Sequence, residues 1–170
     1  MDELLPIIKG EQLSTAAEQG MDEFIAVFTN AYLEMIHGNL TSDTMQILNG
    51  HQNTLIAYHY FTQEIQSGGF VQLIQNGYGA YIFDNPFAKA MRLFGAKELS
   101  KLIYKAKKIY DVHRTKLERE TTEDEFMAMY EEFEAFDDLE EEYFELEEES
   151  TATIAQFIDE HLELFATIKE

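Results

Sequence analysis

A chain of 170 residues, 45% hydrophobic and with 13 Phe and 9 Tyr, is long enough for one domain with a sizeable core and too apolar to be disordered. It has no cysteine, which excludes disulfides, thiolate metal sites and cysteine nucleophiles, and its formal net charge of −21 opposes direct binding to nucleic acid or to anionic membranes. The opening MDELLPIIKG has no basic leader and no apolar run of signal-peptide length, and no stretch reaches the roughly 20 apolar residues that span a bilayer, so a cytoplasmic location is expected.

Strict apolar–polar alternation is nearly absent and helical periodicity is common, so residues 1–170 read as all-α, a compact single domain of about eight helices. The spacing predicts a helix over 21–37 that buries Phe24, Val27, Phe28, Ala31 and Met35 and stops at Gly38-Asn39. Ser42 or Asp43 is expected to cap the next helix. A helix over 50–66 presents Leu55, Tyr58 (or His59), Thr62 and Ile65, and Ser67-Gly68-Gly69 breaks it. A short helix from Phe70 to Gln75 and a turn at Asn76-Gly77-Tyr78-Gly79 follow. Tyr81-Ile82-Phe83 has the composition of a strand but nothing obvious to pair with. Asn85-Pro86 reads as an N-cap followed by proline at the first helical position, and that helix ends at Gly95.

A helix over 96–118 buries Leu99, Leu102, Ile103, Ala106, Ile109 and Tyr110 and turns Lys101, Lys105 and Lys108 outward. Thr122-x-x-Glu125 matches a capping box. Phe126, Met129, Tyr130, Phe133 and Phe136 then form one stripe, continued by Leu139, Tyr143 and Leu146 after a bend at Asp137-Asp138. A final helix over 151–168 carries Ile154, Phe157, Ile158, Leu162, Phe165 and Ile168.

The charge is unevenly spread. Residues 89–119 hold 10 bases and 3 acids, whereas residues 120–149 hold 16 acids and no base. The plain reading of the acidic tract is the solvated face of an amphipathic helix. As one continuous helix it would span about 45 Å and carry a charge about every 3 Å, against about every 1.7 Å on duplex DNA. Carboxylates at i, i+3 and i+4 repel, so such a density calls for an offsetting reason. The basic residues Lys101, Lys105, Lys107, Lys108, Arg114 and Lys116 are expected to lie near some of these carboxylates, within the chain or across a dimer.

Other chemistry is weakly signalled. Glu34-x-x-His37 is half of a di-iron motif without its second half, so no metal and no cofactor is expected. Gly68-Gly69-Phe70 and Gly77-Tyr78-Gly79 lack the lysine or the strand of a phosphate loop. The best catalytic candidates are Glu64, Gln72 and Asn76 with His59 one turn earlier, and an enzyme is not expected.

The segment Glu64-Ile65-Gln66-Ser67-Gly68-Gly69-Phe70-Val71-Gln72-Leu73-Ile74-Gln75-Asn76 resembles a signature, Glu-x-x-Asn-Gly-Gly-Phe-x-Gln-x-x-x-Asn. That pattern marks a bacterial domain family of mostly unknown function that includes a dimeric DNA-mimic protein. The runs Ala90–Ala96, Leu102–Lys108, Asp138–Phe144 and Phe157–His161 with Phe165 resemble later elements of the family, so the likeness covers about residues 45–168. Ser67 and Glu140 depart from it, standing where the family has Asn and Asp. The resemblance implies a mostly helical fold and a homodimer.

Together these features lead to an acidic, DNA-mimic-like protein that binds a basic DNA-binding protein, a transcription regulator above all, and competes with DNA. The expected contact set is Glu131, Glu132, Glu134, Asp138, Glu141, Glu142, Glu145 and Glu148. The alternatives are an immunity- or antitoxin-like inhibitor of a cationic toxin or nuclease, and a helical domain without mimicry. Gly68, Gly69, Phe70, Gln72 and Asn76 are expected to be structural, with Phe70 in the core and Gln72 and Asn76 bonded to backbone groups of the turns.

Overall fold

The computed structural model describes residues 5–170. Among them nine α-helices, two 3-10 turns and two short strands follow in order. The strands and α-helices are β1 (Ile7–Lys9), α1 (Gly10–Gln19), α2 (Met21–Met35), α3 (Ser42–Met45), α4 (Gly50–Gln75), α5 (Gly79–Phe83), α6 (Phe87–Leu93), α7 (Lys97–Glu118), α8 (Glu123–Glu132), α9 (Asp137–Glu160) and β2 (Thr167–Lys169), with the 3-10 turns at Glu134–Phe136 and Leu162–Leu164. The all-α class holds. The contacts fall into two compact units, one of residues up to His59 together with Thr151–Glu170, the other of Tyr60–Ser150.

In the first unit α2 is rotated from the expected face, burying Phe24, Ile25, Phe28, Thr29 and Tyr32. Tyr32 accounts for the rotation. Its hydroxyl donates to the Phe165 carbonyl at 2.7 Å, and the Phe28 ring meets Phe165 edge-on at 6.2 Å. Satisfying a buried phenol outweighs seating Val27 and Ala31 inward. Thr41, not Ser42 or Asp43, caps α3, through a reciprocal pair of bonds with Thr44. The chain end also differs from expectation. The helix that begins at Asp137 stops at Glu160, and Thr167–Lys169 pairs in parallel with Ile7–Lys9, Ile168 opposite Ile8. Strands of three residues are too short for a period-two pattern to register.

In the second unit Gly69 interrupts α4 with φ 78° and ψ −167°, so Phe70–Gln75 forms a separate turn of helix, as the glycine pair predicts. A side chain at residue 69 would also collide with the Glu140 carboxylate. Tyr81-Ile82-Phe83 belongs to α5 and is not a strand. Helical spacing lets Ile82 and Phe83 point inward together, while Gly79 lies under Tyr110, whose ring would stand 2.9 Å from an added Cβ. Pro86 is the N-cap of α6 in place of Asn85, whose amide donates instead to the Tyr81 carbonyl at 2.9 Å. α7 buries Leu99, Leu102, Ile103, Ala106 and Tyr110.

Candidate protein-interaction surface

The capping box at Thr122 forms as predicted. The Thr122 hydroxyl accepts the Glu125 N–H at 3.2 Å, and the Glu125 carboxylate accepts the Thr122 N–H at 3.3 Å. α8 ends at Glu132, because Phe133 leaves helical geometry with φ −113° and ψ 41°. A 3-10 turn over Glu134–Phe136 follows, and α9 starts at Asp137. The acidic tract is therefore two helices, and the break falls at 133–136, ahead of the expected bend. Met129, Phe133, Phe136, Leu139 and Tyr143 anchor it in the core. The break gives the tract two helix N-termini. Glu123, Asp124 and Glu125 lie in the first turn of α8, and Asp137, Asp138 and Glu140 in the first turn of α9. Carboxylates there interact favourably with unpaired N–H groups and the helix dipole, which offsets part of their mutual repulsion.

The eight carboxylates of the expected contact set divide into two groups. Glu132 pairs with Lys116, and Glu142 lies 3.9 Å from Lys105. The Lys116 hydrogen bond holds Glu132 below the usual carboxylate range. Basic α7 thus answers part of the acidic tract within the chain. Three of its other cations pair locally, Lys101 with Glu98, Lys107 with Asp111, and Arg114 with Asp84 and Glu118. The remaining six, Glu131, Glu134, Asp138, Glu141, Glu145 and Glu148, are exposed and make no ion pair among the described residues. On α9 the spacing of 138, 141, 145 and 148 puts four of them in one row.

Glu140 behaves differently. It is half-buried, and its carboxylate accepts the Phe70 N–H at 2.9 Å, capping the helical turn that restarts after Gly69. Burial raises its pKa, the Phe70 bond opposes that, and Asp137 adds to it. Its inward position was readable from the buried Phe136 and Tyr143 one turn to either side. Beside it the Tyr130 hydroxyl donates to the Gly68 carbonyl at 2.8 Å. The glycine pair is in this way tied to both acidic helices.

Phe70 is fully buried, stacked on Phe136 at 5.2 Å and packed against Phe61 and Phe83. Gln72 and Asn76 do not bond to turn backbone as expected. Their amides donate to one oxygen of Glu64, at 2.8 and 2.9 Å, and Gln72 also donates to the Ser67 hydroxyl at 2.6 Å. A carboxylate is the stronger acceptor, and the kink at Gly69 brings positions 64, 72 and 76 together. The backbone role falls to Gln75, which sequence reasoning did not single out. Its amide donates to the carbonyls of Leu117 and Arg119, and its oxygen accepts from the Thr121 hydroxyl, so it holds the α7–α8 junction. His59 is half-buried, and burial lowers its pKa.

Residues 46–161 match the family model described as DMP19-like protein. The chain is also 34% identical over 155 residues, 89% of its own length and 92% of the relative's, to the DNA mimic protein DMP19 of Neisseria meningitidis serogroup B. The chain belongs to the DMP19-like family. The DMP19-like match includes the glycine kink, the whole of α7 and α8, and the acidic row of α9. No helix among the described residues is long and apolar enough to cross a membrane.

Proposed function

We propose that this chain is a DNA mimic that acts by binding and not by catalysis. Its α8–α9 carboxylates occupy the basic surface with which a transcription regulator, or another DNA-binding protein, grips DNA. Competition follows because both ligands neutralise the same Lys and Arg side chains. The observation that carries the reading is the set of six exposed carboxylates without an ion pair among the described residues, on a chain related over most of its length to a protein named a DNA mimic. Asp138 gains from the unpaired N–H groups at the start of α9, and the set faces solvent where a partner can reach it. A homodimer belongs to the same proposal, since a second copy would extend the charged surface.

Immobilised protein should capture basic DNA-binding proteins at low salt and release them to duplex DNA or to rising salt. A variant carrying Glu131→Gln, Glu134→Gln, Asp138→Asn, Glu141→Gln, Glu145→Gln and Glu148→Gln should capture far less. Capture that ignores salt, or that survives in this variant, would refute the charge mechanism. Recovery of a cationic toxin or nuclease in place of a regulator would redirect the same surface to inhibition of that enzyme.

A further inference from the structure

A surface that recognised its partner by charge alone would have no use for exposed apolar side chains, yet both acidic helices carry one. Phe144 on α9 is 56% exposed and Met127 on α8 is 61% exposed. Residues three and four apart adjoin on a helix. Phe144 is therefore flanked by Glu140 and Glu141 on one side and by Glu147 and Glu148 on the other, and Met127 by Glu123, Asp124 and Glu131. The Phe144 ring meets the edge of Tyr143, with centroids 5.4 Å apart, and its outer part is left to solvent. Each helix thus presents an apolar side chain enclosed by at least three carboxylates.

We infer that Phe144 and Met127 are the apolar anchors of this acidic surface, and that its partner is a basic protein surface with apolar recesses among its Lys and Arg side chains. The inference rests on the binding role proposed above and adds what that role lacks, a source of selectivity. Carboxylate rows attract any cationic surface and are screened by salt. Apolar burial is not screened, and buried aromatic anchors rimmed by polar groups dominate the energetics of many interfaces. A groove-reading protein has both features, because it meets phosphates with cations and thymine methyl groups with apolar side chains. Phe144 and Met127 would enter those apolar positions while the surrounding carboxylates engage the cations. The carboxylates then govern encounter, and the anchors govern how long the complex lasts.

Two synthetic peptides of equal positive charge test this with the intact protein. One interleaves Arg and Lys with Gly and Ser, and the other replaces the central Gly and Ser residues by Leu. Calorimetry should find the Leu peptide bound roughly tenfold more tightly, as burial of one large apolar side chain gives. Its advantage should persist at about 1 M salt, where the screening length falls to about 3 Å. In Phe144→Ser and Met127→Ser the advantage should shrink with binding of the Gly/Ser peptide unchanged. Both side chains are exposed, so the fold should be unaltered, and circular dichroism checks it. Equal affinity for the two peptides, or an advantage that survives in the double variant, would overturn the anchors and leave the charge mechanism standing. Failure of both peptides to bind at low salt would overturn the charge mechanism as well.

Discussion

Phe70 is the residue on which the second unit turns. It follows directly on the left-handed Gly69, its N–H is held by Glu140, and its ring lies among Phe61, Phe83 and Phe136. A positive-φ glycine, a carboxylate cap and aromatic packing thus meet at one point of the chain, and the acidic helix is joined to the core there. Replacing Phe70 by Ala should cost about 3–5 kcal/mol, the usual range for a buried aromatic, as read by denaturant unfolding. A variant that unfolds like the parent but no longer binds a basic partner would move the binding site to the glycine kink.

At the scale of elements, the acidic tract is shaped by how it starts and where it breaks. Thr122 and Glu125 fix the first turn of α8, whose opening residues Glu123 and Asp124 gain from the unpaired N–H groups they face. Removing the cap by Thr122→Ala should lower stability by about 0.5–2 kcal/mol and loosen α8 ahead of α9. Hydrogen exchange should then show lost protection over residues 123–132 with protection over the core of α7 retained. Uniform loss across both helices would mean that α8 does not open separately. Gln75 stands against such opening, since its three bonds hold Leu117 at the end of α7 and Arg119 and Thr121 between α7 and α8.

At the scale of the whole molecule, a net charge of −21 sets the terms of any self-association. Two copies repel at long range, so a homodimer must rest on local complementarity or on apolar contact. α7 offers the first of these only in part. Lys105 and Lys116 answer Glu142 and Glu132 of their own chain, whereas Lys97 and Lys108 make no ion pair among the described residues. Light scattering over a salt series separates the cases. A dimer held by α7 cations should loosen as salt rises, and an apolar one should hold or tighten. A monomer at every salt concentration would refute the dimer.

The sequence by itself determined the helical class, the glycine kink, the capping box and the size and place of the acidic tract. These are local properties. Periodicity, left-handed backbone and a reciprocal cap depend on residues within a few positions of one another, and a run of 16 acids without a base must lie largely in solvent. Tertiary structure decided the rest. It turned α2 so that Tyr32 reaches Phe165, made Tyr81–Phe83 helical over Gly79, and paired Ile8 with Ile168. It also chose, within one uniform stretch of carboxylates, Glu140 for the Phe70 N–H, Glu132 and Glu142 for lysines, and six others for solvent. Glu140 apart, which the apolar Phe136 and Tyr143 mark as inward, these side chains carry no local sign of their roles. Only what packs against each one, from parts of the chain distant in sequence, assigns them.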